Sequence, residues 1–260
     1  IDDTHYTRIY KRSVEDVLPK ENYGKDYEIP DDDDVAFSGK NQTQNGQSHR
    51  KKRRSGQMNN YLEILTIYDY FYYMRTVQRL KTNDSQTISN YLVAYGCQLI
   101  GLSNLVYERS LRNISSLKIK LIPKYFIILR TANTSRYMSD NYLRLNGSSI
   151  DEFGRNYVDS SLALRGANTW LKNLTDSNVV PKDYDSAQIL SGTNFYRSDG
   201  GNTLGIAFLR AACVLRISCS LVEDRQEYNS FITVAHEFGH HFGVYHDADN
   251  NPNNLTEFTI

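Results

Sequence analysis

His236-Glu237-Phe238-Gly239-His240-His241-Phe242-Gly243-Val244-Tyr245-His246-Asp247 holds four of the chain's six histidines and decides how the chain is read. His236 and His240 are four residues apart, so on a helix they share one face, a turn apart, and can grip one ion. Glu237 is rotated about 100° from His236 by the helical period. It can lean over such an ion without ligating it. Gly243 follows one turn after His240. Glycine admits left-handed backbone angles and commonly ends helices, so the chain can turn there and return His246 as a third ligand. Three neutral imidazoles leave a metal its full charge and an open position, the layout of a catalytic zinc site rather than a structural one. Such a zinc acidifies its water to a pKa of about 7. Glu237 is then the expected general base, taking the water's proton and passing it to a leaving amine. A bare HExxH arises by chance in roughly 3% of chains of this length, HExxHxxGxxHD in roughly four per million, so the longer pattern carries the reading.

Outward from this motif, Ser230–Phe242 reads as a helix with Ser230 as its cap and Phe231, Ile232, Val234 and Ala235 as an apolar turn. Upstream, Asp185–Leu190 and Thr203–Phe208 read as short strands, and Ser160–Leu174 as a helix despite Gly166. Leu117–Leu129 begins with strict alternation and reads as a strand, with Pro123 marking an edge or a bend. Asp84–Tyr107 has a helical apolar period with Asp84 or Ser85 as cap, and Tyr61–Tyr73 reads as a strand throughout. Strands alternating with helices give an α/β domain with a twisted sheet. No internal repeat is present.

Residues 1–54 differ in kind. They are poor in apolar residues, with an acidic run at Asp31–Asp34, a polar run at Asn41–Ser48 and a basic run at Arg50–Arg54. The segment reads as extended and largely disordered. The basic run admits three readings: a nucleic-acid or nuclear-targeting patch, a solvated charge cluster, or a dibasic processing site. Order resumes just after it, which favours cleavage between Arg54 and Ser55, with Arg53 as the second basic residue. The run resembles a furin-type site, making a furin-type protease a partner.

Formal net charge is zero, apolar residues make up 40% and charged residues 23% of the 260. This balance argues against nucleic acid as a partner. No run of 18 apolar residues exists to span a membrane. Seven Asn-x-Ser/Thr sequons (Asn41, Asn83, Asn113, Asn133, Asn146, Asn173, Asn254) exceed the roughly three or four expected by chance and point to the secretory route. The chain opens at Ile1 without an apolar signal segment, so a signal peptide upstream is expected. Three cysteines, Cys97, Cys213 and Cys219, imply a free thiol or an outside partner.

The motif, with Asp247 after the third histidine, resembles the metzincins and specifically their reprolysin or adamalysin branch, which includes the ADAMs. Tyr184–Gly192 looks like the branch's strand preceding the edge strand, and Gly205-Ile206-Ala207-Phe208 like the edge strand itself. Cys213 sits near a disulfide cysteine of the branch. The tyrosine- and sequon-rich character is similar to secreted arthropod members, such as tick salivary ones. The resemblance implies a secreted zinc metalloendopeptidase acting on proteins or peptides, with an active-site helix and a sheet edge that receives an extended peptide. It admits a structural calcium ion, for which the sequence offers no readable ligand set. Three departures stand out. The branch's methionine turn should follow the third histidine, whereas Met58, Met74 and Met138 all lie upstream. No cysteine precedes the basic run. His241 replaces a more usual asparagine and is expected in a supporting or surface position. Residues 55–260 are therefore expected to be a catalytic domain lacking its C-terminal part. The rival reading is a catalytically inert secreted protein that binds partners through the same fold. Its signal would be loss of Glu237, which is present.

Overall fold

The computed structural model of the chain describes residues 6–11, 59–114, 118–197, 201–214 and 217–246. A six-stranded twisted sheet runs in the order β1-β3-β2-β6-β10-β9, and a smaller sheet in the order β4-β5-β7-β8. The strands are β1 Tyr6–Lys11, β2 Asn59–Tyr68, β3 Lys118–Leu129, β4 Tyr142–Leu143, β5 Tyr157–Asp159, β6 Ser186–Ser191, β7 Asn194–Arg197, β8 Gly201–Thr203, β9 Gly205–Ala207 and β10 Cys219–Glu223. The helices are α1 Tyr70–Leu80, α2 Ser85–Ser110, the short α3 Arg136–Ser139, α4 Ser160–Asp176 and α5 Ser230–His241. In the large sheet β3, β2, β6 and β10 are mutually parallel, and β1 and β9 are antiparallel at the two ends.

Helices cover both faces, so the central strands are apolar on both sides. Alternation along β2 sends Leu62, Ile64 and Tyr68 to one face with Leu92, Leu99, Val234 and Phe238 of α2 and α5. Leu65 and Ile67 go to the other face with Ala163, Leu164 and Leu171 of α4. The fold is the mixed α/β arrangement expected. Among the described residues no helix is long and apolar enough to cross a membrane.

Several local expectations change. The strand read over Tyr61–Tyr73 ends at Tyr68, and Tyr70–Tyr73 opens α1 instead. Asp69 causes the break: its carboxylate accepts the Tyr72 N–H at 2.6 Å and caps the helix, outweighing the β-preference of the aromatic run. α4 runs to Asp176 and is capped by Asp159. Pro123 marks a bulge in β3, since Ile64 pairs with Pro123 and Leu65 with Tyr125, leaving Lys124 unmatched. α5 has Asn229 rather than Ser230 in the cap position, without a side-chain cap bond. Within the segment read as largely disordered, Tyr6–Lys11 forms β1. Cys97, Cys213 and Cys219 form no disulfide with one another.

Candidate metal centre

α5 is fixed from three sides before it offers any ligand. Toward α2, the Tyr107 hydroxyl donates to the Ala235 carbonyl at 2.6 Å and Ser103 Oγ to the Phe231 carbonyl at 3.0 Å. Toward the sheet, His241 Nδ1 lies 2.7 Å from Ser186 Oγ of β6. His241 is 1% exposed, so it is a core clamp and not a surface group. Burial pushes its pKa down to about 4, which keeps the ring neutral. At its C-terminal end, the His240 and His241 carbonyls accept the N–H groups of Arg210 (2.8 Å) and Ala212 (3.1 Å). The 209–213 loop thus satisfies carbonyls that a helix end leaves open.

The helix closes in a Schellman motif. Val244 N–H donates to the Gly239 carbonyl at 3.0 Å, and Gly243 N–H to the His240 carbonyl at 2.9 Å. Gly243 has φ +89°, a left-handed angle that favours glycine, and a Cβ there would stand 3.0 Å from Arg210 Cγ, close enough that the arginine would have to shift. This turn brings His246 back over the helix.

His246 Nε2 lies 2.9 Å from His236 Nε2 and 3.1 Å from His240 Nε2. Ligating nitrogens of the three side chains can all lie within 4.8 Å of one another. Imidazoles on a tetrahedral zinc, with Zn–N of about 2.0–2.1 Å, place their nitrogens roughly 3.3 Å apart. The donor set therefore fits zinc. His240 Nδ1 is 2.8 Å from the Val244 carbonyl. A carbonyl can only accept, so Nδ1 carries the proton and Nε2 presents its lone pair to the centre. Burial, then the neighbouring His240 and His246, hold His236 below the usual histidine pKa, which favours the neutral ligand form.

Glu237 is 3% exposed, and its Oε2 has no hydrogen-bond partner among the described residues. Burial raises its pKa to about 8. Its carboxylate lies directly against Gly205 of β9, where any Cβ would overlap it and would also come within 2.8 Å of Thr233 Cγ2. The close approach of helix and edge strand thus depends on that glycine. A cleft of about 640 Å³ runs between β9 and α5, lined by Gly205, Ile206, Ala207, Glu237 and the three histidines. β9 pairs with β10 on one side and ends the sheet order on the other. Phe208 follows β9 and packs against the core.

The family model of the metallo-peptidases M12B, reprolysin-like, matches residues 93–247, more than half of the chain and the whole of this centre. The chain belongs to that family. This reprolysin-like chain is a metallopeptidase, and protein or peptide substrates follow from the family. Similar solved structures include a zinc-dependent peptidase from Methanocorpusculum labreanum, 14% identical with a TM-score of 0.35 over 72% of this chain and 84% of that one. Archaemetzincin from Methanopyrus kandleri is 12% identical, TM-score 0.34, over 74% and 78% of the two chains. Metalloproteinase-II from Bacteroides fragilis is 13% identical, TM-score 0.35, over 75% and 45%.

Of the residues that the reprolysin-like sequence points to, the structure brings together His236, His240, His246, Glu237, Gly243 and Gly205–Ala207. Asp247, the basic run with Arg53, Arg54 and Ser55, and the sequons at Asn41 and Asn254 lie outside the described residues. Asn83, Asn113, Asn133, Asn146 and Asn173 are all exposed. Tyr107, Ser186 and the 209–213 loop carry no signal of their role in the sequence. Their link to the centre is through backbone carbonyls and a buried ring, which leave no spacing pattern.

Proposed function

We propose that the protein is a secreted zinc endopeptidase that cuts extended protein segments laid along β9. The observation that carries this reading is the meeting of three imidazole nitrogens beside a buried carboxylate, in a cleft open along a sheet edge. When bound by His236, His240 and His246, zinc supplies Lewis acidity for water and for the scissile carbonyl. The rest is the work of this chain's own side chains. Glu237 takes a proton from the attacking water and carries it to the leaving amine; its burial against β9 and its unpartnered Oε2 fit it for both transfers. His240 is held in the ligating tautomer by the Val244 carbonyl. Main-chain groups of β9 not used by β10 align the substrate as an added strand, which favours broad sequence tolerance.

Two further parts of the reading concern the chain's processing. Residues 1–54 are a pro-segment separated from the catalytic domain by a furin-type cut after Arg54, and residues 55–260 carry that domain. The exposed sequon asparagines support glycosylation and passage through the secretory route. The adamalysin and ADAM likeness rests on Asp247 after the third histidine. Secreted protein should contain one zinc per catalytic chain, have a catalytic chain that begins at Ser55, and lose peptide hydrolysis on chelation, regaining it with zinc. Activity that survives complete metal removal would overturn the reading.

A further inference from the structure

β3 has two unlike halves. Its first half pairs with β2 on one side and carries Lys118, Lys120 and Pro123, followed by a bulge at Lys124, all features that discourage a second strand from adding to its other side. Its second half, Tyr125-Phe126-Ile127-Ile128-Leu129, has no charge and no proline. Such an uncharged apolar edge is a ready template for pairing with another chain. β1 covers that half: Tyr6 pairs with Leu129, Thr7 with Ile128, Tyr10 with Phe126 and Lys11 with Tyr125, antiparallel, with one register shift. Its reach stops where the guarded half begins. This edge lies at the opposite end of the sheet from β9 and the histidines.

We infer that β1 is an edge cap that remains on β3 as a separate peptide after the chain is cut at Arg54, making the mature protein a two-chain, non-covalent complex. The inference rests on the proposed cleavage. The contact is main chain to main chain, so it does not need the covalent link through residues 12–58 once formed. The cap leaves the catalytic cleft open, because it sits on the far edge. Its loss exposes the Tyr125–Leu129 edge and leads to self-association of the catalytic domain.

The test uses the full chain cut by a furin-type protease, and in parallel a variant with a sequence-specific protease site inserted after Arg54. Cut samples are passed through native size exclusion, with mass spectrometry of each peak and hydrogen exchange on residues 125–129. The 1–54 peptide should co-elute with the catalytic domain, and amides 125–129 should stay as protected as in the uncut chain. In Thr7→Pro/Tyr10→Pro, which removes two backbone donors, the peptide should separate, protection at 125–129 should fall at least about tenfold and the domain should oligomerise. If the furin-type protease leaves Arg54 intact, the processing reading fails, and the inserted-site sample alone decides the cap. A wild-type peptide that elutes apart while the domain stays monomeric and protected at 125–129 overturns the inference. If the proline variant does not fold, the comparison of cut and uncut wild type decides the question by itself.

Discussion

Gly205→Ala is the sharpest single perturbation of the cleft. The added Cβ would overlap the Glu237 carboxylate and stand 2.8 Å from Thr233 Cγ2, both too close for any real side chain. Restoring ordinary contact requires the carboxylate to retreat by about 1 Å, a displacement that costs roughly a hundredfold in rate when the group acts in the transition state. That corresponds to about 2.7 kcal/mol of barrier. Overpacking also costs about 1–3 kcal/mol of stability, so the melting temperature should fall without loss of the fold. The atoms the new Cβ meets most closely belong to Glu237 and Thr233, not to the histidines, so one metal per chain should remain. The assay is steady-state peptide hydrolysis with zinc content and a thermal melt on the same sample. The expected result is a kcat lowered about a hundredfold with KM nearly unchanged. A risen KM with kcat intact would show that β9 yields and Glu237 stays, refuting the reasoning.

Gly243→Ala should lower zinc affinity at least about tenfold and stability by about 1–2 kcal/mol, since φ +89° disfavours any Cβ and the turn returns His246; competition with a chelator and a denaturant melt report both. Asp69 is buried with its pKa raised from 3.8 to about 6, so the folded state binds its proton more tightly than the unfolded one. Stability attributable to it is therefore fully present below about pH 4 and is lost as pH rises through about 6, by about 3 kcal/mol in all once pH passes about 7; the stability difference between Asp69→Asn and wild type should shift by that amount between acid and neutral pH in chemical denaturation. Tyr107→Phe removes the 2.6 Å bond to the Ala235 carbonyl and should cost about 1 kcal/mol in a thermal melt while zinc stays bound.

The centre is legible in the sequence because its chemistry is local: His236, Glu237, His240, Gly243 and His246 span a helix and one turn, where periodicity converts spacing directly into geometry. The long α2 is legible for the same reason, its buried positions from Ile88 to Tyr107 keeping a helical period. What escapes depends on partners far away in sequence. Tyr70–Tyr73 has strand-forming residues, yet Asp69, held by Ser191 and Gly192 as well as by Tyr72, starts a helix there. His241 resembles a surplus surface histidine because nothing nearby in the chain announces Ser186 as its partner. Pro123 signals a disturbance, but its form, a bulge between two paired strands, is set by the register with β2. β1 leaves no mark because six residues in a polar segment become a strand only beside β3.

Central to the mechanism is the transfer of a proton by Glu237 at a metal held by three histidines. The most direct test is kcat of Glu237→Ala with zinc content measured on the same preparation. Full zinc occupancy with turnover reduced at least about a hundredfold is the predicted result. Peptide hydrolysis within about threefold of wild type at full occupancy, when the general base is worth at least about a hundredfold, would contradict it.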